Sequence, residues 1–379
     1  MGLAKTRGDG LGFASVRRIV VKLGSAVIAP GGRLDEEAIV RLAGDMATSD
    51  REVVVVSSGA VASGFRALGL EAMPRSIVQK QAAAAVGQQR LMAAWAGAFQ
   101  KHGRVVAQVL LTADDLDDRA RHLNARRTLE ALLAAGVIPI INENDSVSYA
   151  EIKLGDNDRL SALVAGLVGA DLLVILSSID GVYEQGDGKR VIAWIENIGA
   201  ARRHIRAGTS EVGTGGMATK LDAAEIAVEA GAHVVIARGA QDRVLARILG
   251  GEALGTHFPA AGRGVGARRR WIGRSTRVRG TIVVDEGCGS ALTERGASLL
   301  PSGVVGVEGE FGEGACVAVR YKDGRVLARG LTSYSSGEIR RLRGKKSADI
   351  ERTLGYCYRE EIIHRDDLVL TAGSKGERS

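Results

Sequence analysis

Four clusters in this chain carry residues that could do chemistry. The first is Val20-Val21-Lys22-Leu23-Gly24-Ser25. A lysine at the end of a buried strand can reach a phosphate when a glycine turn lets the backbone come close and a hydroxyl follows. Taken alone, the plainer account of this hexapeptide is a surface lysine that ends a strand. The second cluster, Ser57-Ser58-Gly59-Ala60, follows Val53-Val54-Val55-Val56. Backbone N–H groups at the start of a helix favour an anion, either phosphate or carboxylate. An ordinary strand-to-helix turn explains these four residues about equally well.

The third cluster pairs Asn142-Glu143-Asn144-Asp145 with Gly155-Asp156-Asn157-Asp158. Amides and acids gathered between a strand and a helix are costly to bury without partners. They suit an amino group, a carboxylate, or a lysine that needs orienting. The alternative is a polar loop in which Asp156 or Asp158 caps the helix. A site is preferred here because the polar run occurs twice at one edge. The fourth cluster is Gly213-Thr214-Gly215-Gly216-Met217-Ala218-Thr219-Lys220. Glycines, threonines and a lysine ahead of a helix make a phosphate cradle by composition. A flexible surface loop is the weaker account. The G-x-x-x-x-G-K-[ST] spacing of a Walker A loop is not met, and the first βα turn carries no G-x-G-x-x-G. No His/Cys set has metal-ligand spacing, and no serine–histidine–acid arrangement stands out.

The elements that must position these clusters alternate. Arg18 to Leu23 reads as a strand. Leu34, Ala38, Ile39, Leu42 and Met46 recur at helical spacing behind Asp35 and Glu36. Strands are expected at 53–56, 105–111, 137–141, 172–176 and 233–237. Helices are expected at 75–101, 121–135, 160–168 and 220–230. Such alternation implies right-handed βαβ units and a mainly parallel sheet covered on both faces, a three-layer α/β sandwich. Ligands in such sheets sit at the carboxyl ends of the strands, and the unusual polar clusters come just after strands. Beyond Pro259 the composition turns to Gly and Arg. Short strands follow at 279–284, 304–307, 315–320 and 326–331, with helices at 335–342 and 347–354. The expected organisation is an N-terminal extension over 1–17, an α/β domain over 18–260, a linker over 261–277, a small β-rich domain over 278–356 and a tail over 357–379.

Of the 379 residues, 45% are hydrophobic and 25% charged, which is the balance of an ordinary globular protein large enough to bury a core without staples. The formal net charge of +7 fits nucleic acid or phosphate-bearing small molecules and does not choose between them. Cys288, Cys316 and Cys357 are far apart and odd in number, which points to a reducing cytoplasm. The first residues are Gly-rich and basic, without the apolar core of a signal peptide. The most apolar stretch, Leu160 to Leu176, is broken by Gly166, Gly169 and Asp171, so no membrane span is expected.

In this order, VVKLGS, VVVVSSGAVASG, the segment from Gln79 to Gln89, INEND, AEIKLGDND and GTGGMATK resemble the amino acid kinase family, most closely its members that phosphorylate L-glutamate in the first step of proline biosynthesis. The stretch from about Val278 to Tyr356, with VDEGCGSAL, GASLLPSGV and the later HRDD, resembles a PUA domain. The likeness runs from about Arg18 to Leu368. It implies that Lys22 binds ATP phosphate and stabilises the transferring phosphoryl group. Ser58, Asp145 and Asn157 would bind L-glutamate, and Asp158 would orient the two lysines. Thr214, Gly215, Gly216, Met217, Ala218, Thr219 and Lys220 would bind ATP, with Lys220 facing its phosphates. Ser177 and Ser178 fall where the family binds nucleotide, but the usual pair there is Thr-Asp. Ser25 likewise stands for the usual threonine. The resemblance also implies Mg²⁺ with the nucleotide, transfer of product to glutamyl phosphate reductase, feedback inhibition by proline, and a dimer or tetramer.

Two rivals remain at this point. Acetylglutamate, aspartate and carbamate kinases share the first domain but do not suit a PUA-like tail. RNA binding through that tail is suggested by Arg268, Arg269, Arg270, Arg274, Arg277, Arg279, Arg340, Arg341 and Arg343. A solvated basic linker and helix surface is preferred, because aromatic side chains for stacking are few.

Overall fold

The computed structural model describes residues 13–112, 115–116, 119–147, 157–184, 190–202, 216–261 and 278–371. The chain divides into two compact units, one of residues 1–117 and 124–264, the other of residues 118–123 and 265–379.

The first unit is built on a seven-stranded sheet. Its strands are β1 (Arg18–Leu23), β2 (Glu52–Ser57), β3 (Val106–Leu111), β4 (Ile138–Glu143), β5 (Leu172–Ser177), β6 (His233–Arg238) and β7 (Thr256–Phe258), in the order β3-β4-β2-β1-β5-β6-β7. All neighbours pair in parallel except β6 and β7. The antiparallel edge strand β7 lies beyond the last strand expected from the sequence. Three residues are too few for a period-2 pattern to show.

Side-chain alternation sorts the sheet into two faces. Val20, Val54, Val56, Leu173, Ile175, Val234 and Ile236 enter one buried cluster. Ile19, Val21, Val53, Val55, Ile140, Val174 and Val235 enter another. Both faces are covered, so the strands read as continuous β-branched runs. Among the described residues of both units there are twelve α-helices: α1 (Ser25–Ile28), α2 (Glu36–Ala47), α3 (Ala60–Gly64), α4 (Ile77–Gln100), α5 (Arg119–Ala134), α6 (Asn157–Val168), α7 (Ile198–Arg202), α8 (Met217–Glu229), α9 (Val244–Leu249), α10 (Glu286–Glu294), α11 (Ser336–Leu342) and α12 (Ile350–Leu354). Helices α6 and α8 pack on the first face, through Leu160, Val164, Leu221 and Ala224. Helices α2, α4 and α9 pack on the second, through Ile39, Leu42, Leu91, Trp95, Leu245 and Ile248. The result is the three-layer sandwich.

Helices α3 and α4 cross so closely that a side chain on either glycine at the crossing is excluded. A Cβ on Gly64 would lie 1.9 Å from the carbonyl oxygen of Ala83, and one on Gly87 would lie 1.8 Å from that of Ala60. This contact fixes the depth at which α4 presents Gln88.

The second unit holds a five-stranded sheet of β8 (Gly280–Val284), β9 (Val304–Glu308), β10 (Cys316–Tyr321), β11 (Val326–Leu331) and β12 (Leu368–Leu370), in the order β12-β11-β10-β8-β9. Its core gathers Ile282, Val317, Val319, Leu327, Tyr334, Ile339 and Leu342. Ser335 and Glu338 form a reciprocal capping box at α11. Helix α10 occupies a stretch to which no element was assigned from the sequence, capped by Asp285, which accepts from the Cys288 N–H at 2.7 Å. Its glycines mask the helical period. The β-rich unit also does not end at Tyr356. Ile362 and Ile363 are fully buried, Leu299 bridges to Ile363, and β12 pairs with β11.

Candidate active site

The parity of β1 decides where Lys22 goes. It shares a face with Val20, so it points toward α6 and α8, away from α2 and α4. It is 2% exposed. Asp158, in the first turn of α6, is fully buried beneath it and forms an ion pair with it. From the other side Lys220, in the first turn of α8, places its Nζ 3.0 Å from Asp158 Oδ2 and is 5% exposed. The Thr219 hydroxyl lies 3.1 Å from the same carboxylate oxygen and 2.9 Å from the Gly216 carbonyl. Two ammonium groups from stretches 198 residues apart therefore share one buried carboxylate. Burial alone pushes the Asp158 carboxyl up, but the charges and hydrogen bonds of Lys22 and Lys220 outweigh it and hold the group down at about 2. Asp158 is not the helix cap that sequence left as an alternative. Its side chain is committed to the lysines, and Asp156 lies outside the described residues.

Around this centre the carboxyl ends of β1, β2, β4 and β5 converge. The Gly24 N–H donates to the Leu176 carbonyl at 3.2 Å, tying the turn after β1 to β5. Ser57 lies on the opposite face from Lys22 and accepts from Trp95 Nε1 at 3.1 Å. Gly59, at φ 98°, turns the chain from β2 into α3, a backbone region that L side chains rarely adopt. Asn157 Nδ2 reaches Ser58 Oγ at 2.8 Å, the Ser57 carbonyl at 3.1 Å and Asn142 Oδ1 at 3.0 Å. Asn142 Nδ2 in turn donates to Gln88 Oε1 at 2.8 Å. The amide chain thus runs from α4 through β4 to α6.

Two of its atoms, Gln88 Nε2 and Asn157 Oδ1, are buried and find no partner among the described residues. A buried polar group left unmade costs about 1–3 kcal/mol, so such a pair is more easily understood beside a ligand than inside an empty core.

Gly216 caps α8, and Met217, Ala218 and Thr219 form the helix's first turn ahead of Lys220. The positive end of this 13-residue helix faces the same region as Lys220. Thr214 and Gly215 lie outside the described residues. Ser177 ends β5, its carbonyl accepting from Gly239 N–H at 2.9 Å, and Ser178 follows in the bend. Asp145 sits in the turn after β4, two residues past Glu143. Among the described residues no group of three or more His, Cys, Asp or Glu side chains could hold a metal ion. None of their helices is long and apolar enough to cross a membrane.

Comparison with known proteins places this geometry in a family. The model of the amino acid kinase family matches residues 17–238, and that of the PUA domain matches residues 280–354. A glutamate 5-kinase of Trichlorobacter lovleyi is 50% identical over 368 residues, 95% of this chain and 98% of the relative. One from a Geobacter species, strain M21, is 49% identical over 94% of this chain and 98% of its own length. One from Thermus thermophilus is 48% identical over the same shares. The chain belongs to the glutamate 5-kinases of the amino acid kinase family.

As in the sequence expectation, this kinase carries a family domain followed by a PUA domain. Gln88, quoted only inside the segment Gln79–Gln89, was not singled out from the sequence as part of the site. Ser57 and Asn142 stood in the second and third clusters, but neither was given a role of its own. The usable signal was parity. Asn142 and Ser57 lie on the α4 face of their strands, where a polar residue in a run of valines and isoleucines needs a polar partner on the helix.

Proposed function

We propose that this kinase transfers the γ-phosphoryl group of ATP to the γ-carboxylate of L-glutamate, giving L-glutamyl 5-phosphate. The observation that carries the reading is the meeting of Lys22 and Lys220 on buried Asp158. One carboxylate against two ammonium groups leaves a net positive site, suited to a group that gains negative charge in flight.

The acceptor is already ionised at neutral pH, since a glutamate side chain has a pKa near ~4.3. No general base is needed. One γ-carboxylate oxygen forms the new P–O bond while the bond from the γ-phosphorus to the bridging oxygen breaks, and ADP leaves with the electron pair. Catalysis then consists of bringing one anion up to another. Lys22 and Lys220 flank the phosphoryl group, and Asp158 holds them at fixed separation. The N-terminus of α8, from Gly216 to Thr219, lies against the phosphates, with Thr214 and Gly215 ahead of it. Ser177 and Ser178 face the nucleotide from β5. Ser58, Asp145 and Asn157 hold L-glutamate.

Mg²⁺ would arrive with ATP, on the nucleotide's phosphates beside Lys22 and Lys220. It keeps several waters and binds chiefly to substrate phosphates, so an acidic cage is not required. When bound it would neutralise phosphate charge beside the lysines.

The reading extends to a cytoplasmic oligomer, dimer or tetramer, that hands its labile acyl phosphate to glutamyl phosphate reductase and responds to proline as a feedback inhibitor. Its PUA domain leaves RNA as a further partner. The test is ATP turnover with and without L-glutamate, with hydroxylamine trapping the acyl phosphate. Glutamate-dependent ADP release with one hydroxamate per ADP is expected. ADP release without hydroxamate would reject the carboxylate acceptor.

A further inference from the structure

The polarity of the buried amide chain is fixed by a single backbone group. The Glu143 N–H can only donate, and it donates to Asn142 Oδ1 at 2.9 Å. That sets Asn142 with its oxygen toward Glu143 and Asn157, and its NH₂ toward Gln88. The Asn142 NH₂ donates at 2.8 Å, so Gln88 must turn its oxygen to it and its own NH₂ away. Asn157 must likewise offer its NH₂ to Asn142 Oδ1 and Ser58 Oγ, which turns its oxygen away. No flip of one amide is allowed without breaking a bond to its neighbour.

The chain therefore ends in one open donor, Gln88 Nε2, and one open acceptor, Asn157 Oδ1. Gln88 is 91% buried, being 9% exposed. A molecule that presents an anion and an ammonium group on one carbon answers both ends. Such a head group belongs to any free α-amino acid.

We infer that Gln88 is a specificity-determining residue for the amino acid substrate, its Nε2 donating to the α-carboxylate while Asn157 Oδ1 accepts from the α-ammonium. This rests on the reading that the chain phosphorylates L-glutamate. It adds a residue from α4 to a site otherwise formed by the ends of β2, β4 and α6. It also explains why a glutamine occupies a buried helix face that is otherwise Ala, Gly, Leu, Trp and Phe. The contact discriminates at the head of the substrate, far along the molecule from the carboxylate that reacts.

The test compares Gln88→Glu and Gln88→Met with the wild type. Gln88→Glu keeps an oxygen to accept from Asn142 but replaces the open N–H donor with an anion. Gln88→Met keeps the length and carries no charge. Hydroxamate formation gives the glutamate KM, the ATP KM and kcat, and thermal unfolding shows whether each variant is folded. For Gln88→Glu the glutamate KM should rise at least tenfold while the ATP KM stays within twofold and kcat within threefold. Gln88→Met should move the glutamate KM in the same direction by a smaller factor. If Gln88→Glu does not fold, the Gln88→Met split decides. A glutamate KM within twofold of wild type, or an equal rise in both KM values, would overturn the inference and leave Gln88 as a structural amide. A wild type that forms no hydroxamate from L-glutamate would instead defeat the underlying functional reading, so the two failures are distinct.

Discussion

Replacing Asp158 with asparagine should make the kinase unstable in a way that an added anion repairs. Asp158 is fully buried, and the two cations it neutralises are 2% and 5% exposed. Asparagine keeps the shape and removes the charge, leaving both ammonium groups desolvated and close together. Removing one partner of a buried ion pair costs about 3–5 kcal/mol. For a unit of this size each kcal/mol lowers Tm by about 2–4 °C, so a fall of roughly 6–20 °C is expected. Pyrophosphate, which carries the charge that asparagine lacks, should then raise the Tm of Asp158→Asn more than that of the wild type. A ligand at one hundred times its Kd adds about 2.7 kcal/mol, enough to restore much of the loss. Adding Lys22→Met to Asp158→Asn removes one of the uncompensated cations and should recover part of the stability without pyrophosphate. Differential scanning fluorimetry of the variants with and without pyrophosphate reads all of this. A Tm within about 2 °C of wild type, or equal pyrophosphate shifts in wild type and Asp158→Asn, would refute the idea that one carboxylate balances both lysines.

Other outcomes follow from the same geometry. The Asp158 carboxyl is held at about 2 against an ordinary 3.8, so its contribution is complete above 3.8 and is lost as pH falls through 2. That contribution is about 2 kcal/mol, and the gap in urea midpoint between wild type and Asp158→Asn should hold down to about pH 4 and narrow from there to pH 2; a gap independent of pH would contradict it. Asp145→Ala should raise the glutamate KM and leave the ATP KM unchanged, and an unaltered glutamate KM would remove Asp145 from the substrate pocket. Gly87→Ala forces a methyl group to within 1.8 Å of the Ala60 carbonyl. It should lower stability by about 1–3 kcal/mol and weaken glutamate binding through displaced Gln88, as read by chemical unfolding and KM; a neutral substitution would mean that α3 and α4 can separate freely.

The fold was legible because its strands are buried on both faces and bounded by glycine. Each expected strand of the first domain lies within a residue or two of the observed one. What was lost is short or locally atypical. Strand β7 has too few residues to show a period. Glycines at 287 and 289 disguise α10. The strand β12 lies beyond a stretch rich in charge, and only its pairing with β11 shows that it belongs to the sheet. The charged members Lys22, Asp158 and Lys220 were named through the family resemblance, since a lysine that ends a strand and an acid that opens a helix are each ordinary when taken alone. That they meet on one carboxylate is a long-range fact, visible only once the parity of β1 and the packing of α6 against α8 are known. Gln88 was hidden for another reason. It lies in mid-helix among residues that look like core, and its role depends on a hydrogen-bond chain through Asn142, which is 54 residues away.

The most direct test of the central claim is the rate of glutamate-dependent hydroxamate formation by folded Lys22→Ala and Lys220→Ala. A pre-organised charge donor of this kind is worth about 3–4 kcal/mol, so each variant should lose roughly 10²–10³ in kcat. Wild-type turnover from either folded variant would contradict the claim that the two lysines hold the phosphoryl group between them.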